Sequence, residues 1–270
     1  DGRVMTEPPR FALARGRVRH VGEAVAVVIA ETLEAAIDAA EQVHIDYEAL
    51  PAVISARDAL SRGAPQVHEE APGNLCMHFV RGDHAAVRRT FEQAAHVTRV
   101  DLLNQRIAGC AIEPRAVIAQ PGQEPNSLTL YSSTQVPHHV RRLVAEQLGL
   151  AEGRIRVIAP DVGGGFGYKG KHYPEETVLA WAARRLGRAL KWVASRSESF
   201  TADLQARDHA TRAELALDAQ GHFLALSVET VANLGAYVST VGAAIPSAIY
   251  TGLLAGVYRT PAIAVDVTLA

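Results

Sequence analysis

The chain has 270 residues, 48% hydrophobic and 21% charged, a balance that builds a sizeable globular core and excludes a disordered or coiled-coil protein. Its 27 basic and 29 acidic side chains give a formal net charge of -2, which excludes the basic footprint of a nucleic-acid-binding protein. Two cysteines, Cys76 and Cys110, are too few for a zinc cluster or a disulfide framework and suit a reducing, cytoplasmic compartment. The chain starts at Asp1 without methionine, carries no signal peptide and stops within an apolar alternation at Thr268-Leu269-Ala270, so it is expected to be part of a longer polypeptide.

Residues 23–30 (EAVAVVIA) form a valine-rich apolar run that predicts a buried strand. Residues 31–42 follow with alanines and Ile37 on one helical face and acidic residues in the first turn. Residues 43–47 (VHIDY) alternate as a half-buried strand. Together they predict a small α/β unit over the first 60 or so residues. Gly63, Pro65, Pro72, Gly73 and Asn74 then interrupt any periodicity, which predicts a linker.

Beyond it, strands are expected at 96–103, 116–119, 128–131, 154–158 and 189–193. A helix is expected at 137–148, opened by Pro137 and closed by Gly149, and another at 172–186. Residues 213–217 and 223–231 alternate around Asp218-Ala219-Gln220-Gly221, a hairpin signal. The expected class is α+β in two parts, without internal repeats.

The densest chemical signal is DVGGGFGYKG at 161–170, where a strand leads into five glycines before a helix. Glycine lets a backbone approach a ligand closely, and an exposed helix start offers N–H groups to an anion; the alternative is a tight strand-to-helix turn. Gly165-x-Gly167-x-x-Gly170 also matches the dinucleotide fingerprint. The expected acidic residue at the end of the next strand is replaced by Ser195-Arg196, which suits a 2′-phosphate and keeps an NADP-binding reductase open. A P-loop is excluded, because Gly170 rather than a hydroxyl residue follows Lys169.

Gln135, in SSTQVPHHVRR, stands between a predicted strand and a predicted helix. It either faces a cleft or bonds its own turn. His138 and His139 lack a partner at metal-ligand spacing and are expected on the helix surface, with no metal held by side chains. Glu113 before Pro114 is expected to be a structural, hydrogen-bonded carboxylate, and Glu175 and Glu176 to favour the start of a helix. Arg196, Glu198, Arg207 and Asp208 could form one structural ion-pair set. No charge occurs between Thr230 and Tyr258, but glycines, Pro246 and hydroxyl residues interrupt this stretch. It is expected to be a buried loop walling a pocket rather than a membrane span.

Taken together, VGEAVAVVIAETLEAAIDAAEQVHIDYEALPAV (21–53), AIEPRAV (111–117), STQVPHHVR (133–141), IAPDVGGGFGYK (158–169), KWVASRSESF (191–200) and ANLGAY (232–237) resemble one family. This is the large, molybdenum-binding subunit of the molybdenum hydroxylases: xanthine dehydrogenase, aldehyde oxidase and aerobic carbon monoxide dehydrogenase. YPEE at 173–176 is more similar to the carbon monoxide dehydrogenase-like branch than to the purine branch.

The resemblance implies an α/β hammerhead domain over 1–62, a linker over 63–82 and the first part of a molybdopterin-binding domain over 83–270. It assigns Gly163, Gly164, Gly165, Phe166 and Gly167 to contacts with molybdopterin, in its cytosine dinucleotide form. It places Gln135 beside the apical oxo ligand, with Phe166 bordering the metal. The metal itself is implied to be held through the pterin dithiolene. It further implies FAD and [2Fe-2S] centres on partner subunits or other segments, and a dimer of heterotrimers. The implied activity oxidises an aldehyde, an N-heterocycle or carbon monoxide with water-derived oxygen. Gly170 stands where purine-hydroxylating members carry a glutamate, and the uncharged stretch lacks their substrate arginine, so xanthine is not the expected substrate. The catalytic glutamate and the active-site cysteine loop are expected beyond Ala270. A non-catalytic assembly domain is the remaining alternative.

Overall fold

The computed structural model describes residues 5–270. In chain order its elements are α1 (Leu33–Ala40), α2 (Ala56–Ala59), β1 (Met77–Gly82), α3 (His84–Gln93), β2 (His96–Asn104), β3 (Ala116–Pro121), β4 (Leu128–Ser132) and α4 (Pro137–Leu148). These are followed by β5 (Ile155–Ile158), α5 (Pro174–Leu186), β6 (Leu190–Val193), α6 (Arg196–Ala202), β7 (His209–Leu217), β8 (Phe223–Ala232) and β9 (Ala262–Leu269). They fold as two compact units. One is built from Ala52–Ile107 and Gln205–Ala270 with the stretch up to Pro9; the other is built from Arg10–Pro51 and Ala108–Leu204.

The first unit holds a five-stranded sheet in the order β1-β9-β8-β7-β2, antiparallel except where β8 runs parallel to β9. Alternation along β8 and β9 puts Val228, Val265, Val267 and Leu269 into a core with Phe79 of β1. Helix α3 buries Val87 against the small side chains Ala216, Ala225 and Ala264. The predicted hairpin forms, and Asp218 accepts the Gln220 and His222 amides while Gly221 turns the chain at φ +85°.

The second unit, which carries the site, has a four-stranded sheet in the order β5-β4-β3-β6, with β4 and β5 parallel. The β4-α4-β5 segment is a parallel crossover. Val140, Val144 and Ala145 of α4 and Leu179, Ala180 and Ala183 of α5 pack on Val117, Ala119, Leu128, Leu130 and Ile155. Pro137 opens α4, and Gly149, left-handed at φ +64°, closes it.

Helix α4 and the strands 96–103, 116–119 and 128–131 follow the sequence expectation, and so does the mixed α+β class. The two compact units are each discontinuous in sequence. Other expectations need correction. The stretch expected as a linker carries β1 in its last six residues, because β9 at the far end of the chain pairs with it, Met77 opposite Leu269.

Residues 23–30 and 43–47, expected as strands, join no sheet among the described residues. Apolar alternation supplies a face, but a strand also needs a row of backbone partners. Val27, Ile29, Val43 and Ile45 are accordingly exposed. The helix between them forms as α1, with the Thr32 hydroxyl accepting the Ala35 amide. Residues 230–258 are only partly buried. Ala243, Ser247 and Thr251 face inward, whereas Leu253, Val257 and Tyr258 are exposed. Among the described residues no helix is long and apolar enough to cross a membrane.

Candidate cofactor-binding site

Strand β5 ends at Ile158, and an irregular loop leads to one 3-10 turn at Tyr168–Gly170. Helix α5 starts only at Pro174. The glycine loop therefore does not itself open a helix, which the dinucleotide fingerprint requires. Arg196, the residue suited to a 2′-phosphate, instead donates to the Ile112 carbonyl at 3.0 Å.

Two positions explain why the loop needs glycine. A Cβ on Gly163 would lie 2.6 Å from Cβ of Glu113, and a Cβ on Gly165 would penetrate the Gln135 side chain. Phe166 takes a left-handed conformation at φ +45°, a strain of about 1 kcal/mol for a bulky residue. Its ring lies close to Gly164 and is largely exposed.

The loop amides divide into satisfied and free donors. Gly163 donates to Oε2 of Glu113 at 2.6 Å, Gly164 to the Val162 carbonyl at 2.9 Å, and Gly167 to Oε1 of Gln135 at 3.1 Å. The Gly165 and Phe166 amides reach no acceptor among the described residues. Two consecutive free amides flanked by glycines form a concave donor site for an anion.

The end of β4 holds this loop. Ser132, Thr134 and Gln135 reach the segment that follows β5, and Ser133 between them reaches Glu113, which precedes β3. Ser132 donates to Oε1 of Glu176 at 2.7 Å, and Ser133 to Oε2 of Glu113 at 2.9 Å. Thr134 Oγ1 donates to the Lys169 carbonyl at 3.2 Å, and the Gln135 amide donates to that same carbonyl at 3.0 Å. Because Gln135 Oε1 accepts from Gly167, its Nε2 is left as a donor for something other than the loop.

Below the loop lie buried charges. Lys169 Nζ contacts Glu113 Oε2 at 2.7 Å. Burial opposes ionisation of Glu113, but the bonds from Lys169, Gly163 and Ser133 outweigh it and hold the carboxyl below its ordinary value. Burial also lowers Lys171. Arg115 lies over the Tyr173 ring, pairs with Asp203 at 2.5 Å and makes two bonds to Glu175. Tyr173 OH in turn donates to the Tyr168 carbonyl at 2.9 Å. Glu176, fully enclosed, is pushed up to about 7 by burial despite bonds from Ser132 and the Tyr173 amide. Burial pushes His172 down to about 4.

The structure thus brings the predicted loop and Gln135 together across 32 residues of sequence. His138 and His139 are exposed on α4, and no cluster able to hold a metal occurs among the described residues. Of Arg196, Glu198, Arg207 and Asp208, expected as one ion-pair set, Glu198 and Asp208 each have a partner outside it. Glu198 accepts the Ser195 amide at the start of α6, and Asp208 pairs with Arg106. The real buried set centres on Arg115. Sequence reasoning did not single out Lys169 or Ser133, whose partner Glu113 lies 56 residues from Lys169 and 20 from Ser133.

Comparison with known proteins shows the family. The family model described as molybdopterin cofactor-binding domain matches residues 67–270, and that of the aldehyde oxidase and xanthine dehydrogenase a/b hammerhead domain matches residues 2–51. The chain is 37% identical over 250 residues to the 6-hydroxypseudooxynicotine dehydrogenase complex subunit gamma of Paenarthrobacter nicotinovorans, covering 93% of this chain and 31% of that protein. It is 34% identical over 237 residues to the carbon monoxide dehydrogenase large chain of Hydrogenophaga pseudoflava, covering 83% and 30%. The crystal structure of quinoline 2-oxidoreductase from Pseudomonas putida 86 superposes with a TM-score of 0.89 at 33% identity, over 98% of this chain and 34% of that one. The chain spans about a third of the length of these relatives. It belongs to the molybdenum hydroxylase family and corresponds to part of the molybdopterin-binding subunit.

Proposed function

We propose that this chain forms part of the catalytic subunit of a molybdenum-dependent hydroxylase or dehydrogenase, with the loop from Gly163 to Gly167 and Gln135 receiving the cofactor. One observation carries the reading. The free Gly165 and Phe166 amides lie beside a glutamine whose Oε1 is already engaged by Gly167. The donor set fits an anionic, oxygen-rich group: two amides for negative charge and an uncharged Nε2 for an oxygen atom. The metal would be held through the pterin rather than by side chains.

When bound, the cofactor supplies a two-electron oxidation that draws oxygen from water. In this reading Gln135 would offer Nε2–H to an oxygen of the bound group, and the Gly165 and Phe166 amides would offer donors to its negative charge. Gly163 anchors the loop through Glu113, and Gly167 orients Gln135. The exposed Phe166 ring borders the substrate side. The cytosine dinucleotide form, FAD and [2Fe-2S] centres on partner subunits, a dimer of heterotrimers and a cytoplasmic location belong to the same proposal. The two-cysteine content supports placing iron–sulfur centres elsewhere. We take the sequence division near residue 62 to separate the hammerhead region from the cofactor-binding region.

The substrate class is an aldehyde, an N-heterocycle or carbon monoxide. Gly170 and the uncharged stretch 230–258 give no charged group for anchoring a purine. The test is molybdenum and pterin quantification in the protein carrying this chain, purified with its partner subunits. Near-stoichiometric molybdenum with a cytosine dinucleotide is expected. A folded complex without molybdenum would sink the proposal in favour of an assembly role, and tight NADP binding would favour a reductase.

A further inference from the structure

Glu113 takes no direct part in the proposed cofactor binding, yet it gathers the densest set of donors around the loop. Its Oε2 accepts from Gly163 N–H at 2.6 Å, Lys169 Nζ at 2.7 Å and Ser133 Oγ at 2.9 Å. Its own amide donates back to the Gly163 carbonyl at 3.3 Å. Lys169 is completely shielded, and its carbonyl receives both the Gln135 amide and the Thr134 hydroxyl. One carboxylate oxygen therefore touches the first glycine of the loop, the residue two before Gln135, and the lysine whose backbone holds Gln135.

We propose that Glu113 is the positioning residue that holds the glycine loop and Gln135 in mutual register. Its negative charge is the part that matters. A neutral amide at position 113 could still accept one hydrogen bond, but it would leave a shielded ammonium without a counter-charge. Lys169 would then have to move toward water, carrying its carbonyl away from Gln135 and releasing the Gly163 amide. The consequence for cofactor retention rests on the proposed function; the register itself does not.

The test compares backbone hydrogen exchange in the wild type, Glu113→Gln and the Glu113→Gln/Lys169→Met double variant, each purified as the complex that carries this chain. Peptides spanning 133–136 and 163–170 in Glu113→Gln should exchange about tenfold faster, the scale of one lost charge-assisted bond. Bound pterin should fall severalfold. The double variant, which buries no lone ammonium, should recover most of the protection. Unchanged exchange in both peptides, or an equal rise across the whole protein, would overturn the proposal. If Glu113→Gln does not accumulate as folded protein, Ser133→Ala removes one donor without stranding a charge. It should speed exchange at 163–167 severalfold, and no increase there overturns the idea. A wild type devoid of pterin refutes the proposed function, while the exchange data still decide the positioning role.

Discussion

The Lys169 ammonium sits 2.7 Å from the Glu113 carboxylate, and the two are unequally hidden: the lysine side chain is 0% exposed and the glutamate 34%. The pair therefore has one partner that water can reach and one that it cannot. Glu113→Ala strands a shielded cation and should cost about 3–5 kcal/mol, whereas Lys169→Met leaves a carboxylate able to rehydrate and should cost about half as much. Denaturant unfolding of the complex carrying this chain measures both. Equal losses would show that the asymmetry of burial does not govern the pair.

Gln135→Ala removes the Nε2 donor and the acceptor of the Gly167 amide, and keeps the backbone bond from Gln135 to the Lys169 carbonyl. Turnover should fall about a hundredfold, the scale of one lost donor at a reacting oxygen, with molybdenum content nearly unchanged. Steady-state kinetics beside metal analysis checks this. Full activity would remove Gln135 from the site.

Gly165→Ala should reach the same endpoint by a different route. A Cβ there collides with the Gln135 side chain, which is flexible and can swing away. Stability should change little while turnover drops, and adding Gly165→Ala to Gln135→Ala should cost almost nothing more. Gly167→Ala meets open space but demands φ +84° of alanine, so it should destabilise by about 1 kcal/mol. A double-mutant cycle on positions 135 and 165 measures the coupling, and simple additivity would contradict the collision.

Glu176 makes stability depend on pH. Its folded value of about 7 exceeds the ordinary 4.5. The protonated carboxyl therefore stabilises fully below about pH 4.5, and this contribution is lost as pH rises through 7. The shift corresponds to at most about 3 kcal/mol. Glu176→Gln should abolish the dependence, so its melting temperature relative to wild type should climb between pH 5 and 8. Thermal melts across that range test it, and parallel curves would mean that Glu176 is ionised throughout. His172 Nδ1 lies 3.5 Å from Glu176 Oε2, and burial, which pushes its folded value down to about 4, keeps it neutral in the folded state across this pH range.

Part of this molecule is written locally. Pro137 and Gly149 delimit α4, the turn at Asp218–Gly221 defines the β7–β8 hairpin, and the glycine run with the residues before Gln135 marks the site. These features depend on backbone dihedrals and side-chain periods that neighbouring residues impose. The apolar runs at 23–30 and 43–47 mislead for the complementary reason: alternation describes a face but says nothing about a partner strand. The β1–β9 pairing, the division into two discontinuous units and the Glu113–Lys169 contact each join residues far apart in the chain. The six joined segments carried the resemblance to the family, and the glycine run marked the loop. Sequence marked Glu113 only as a structural, hydrogen-bonded carboxylate; the tertiary structure alone decided that its partners are Gly163, Lys169 and Ser133, because spatial neighbours of a carboxylate carry no fixed sequence spacing.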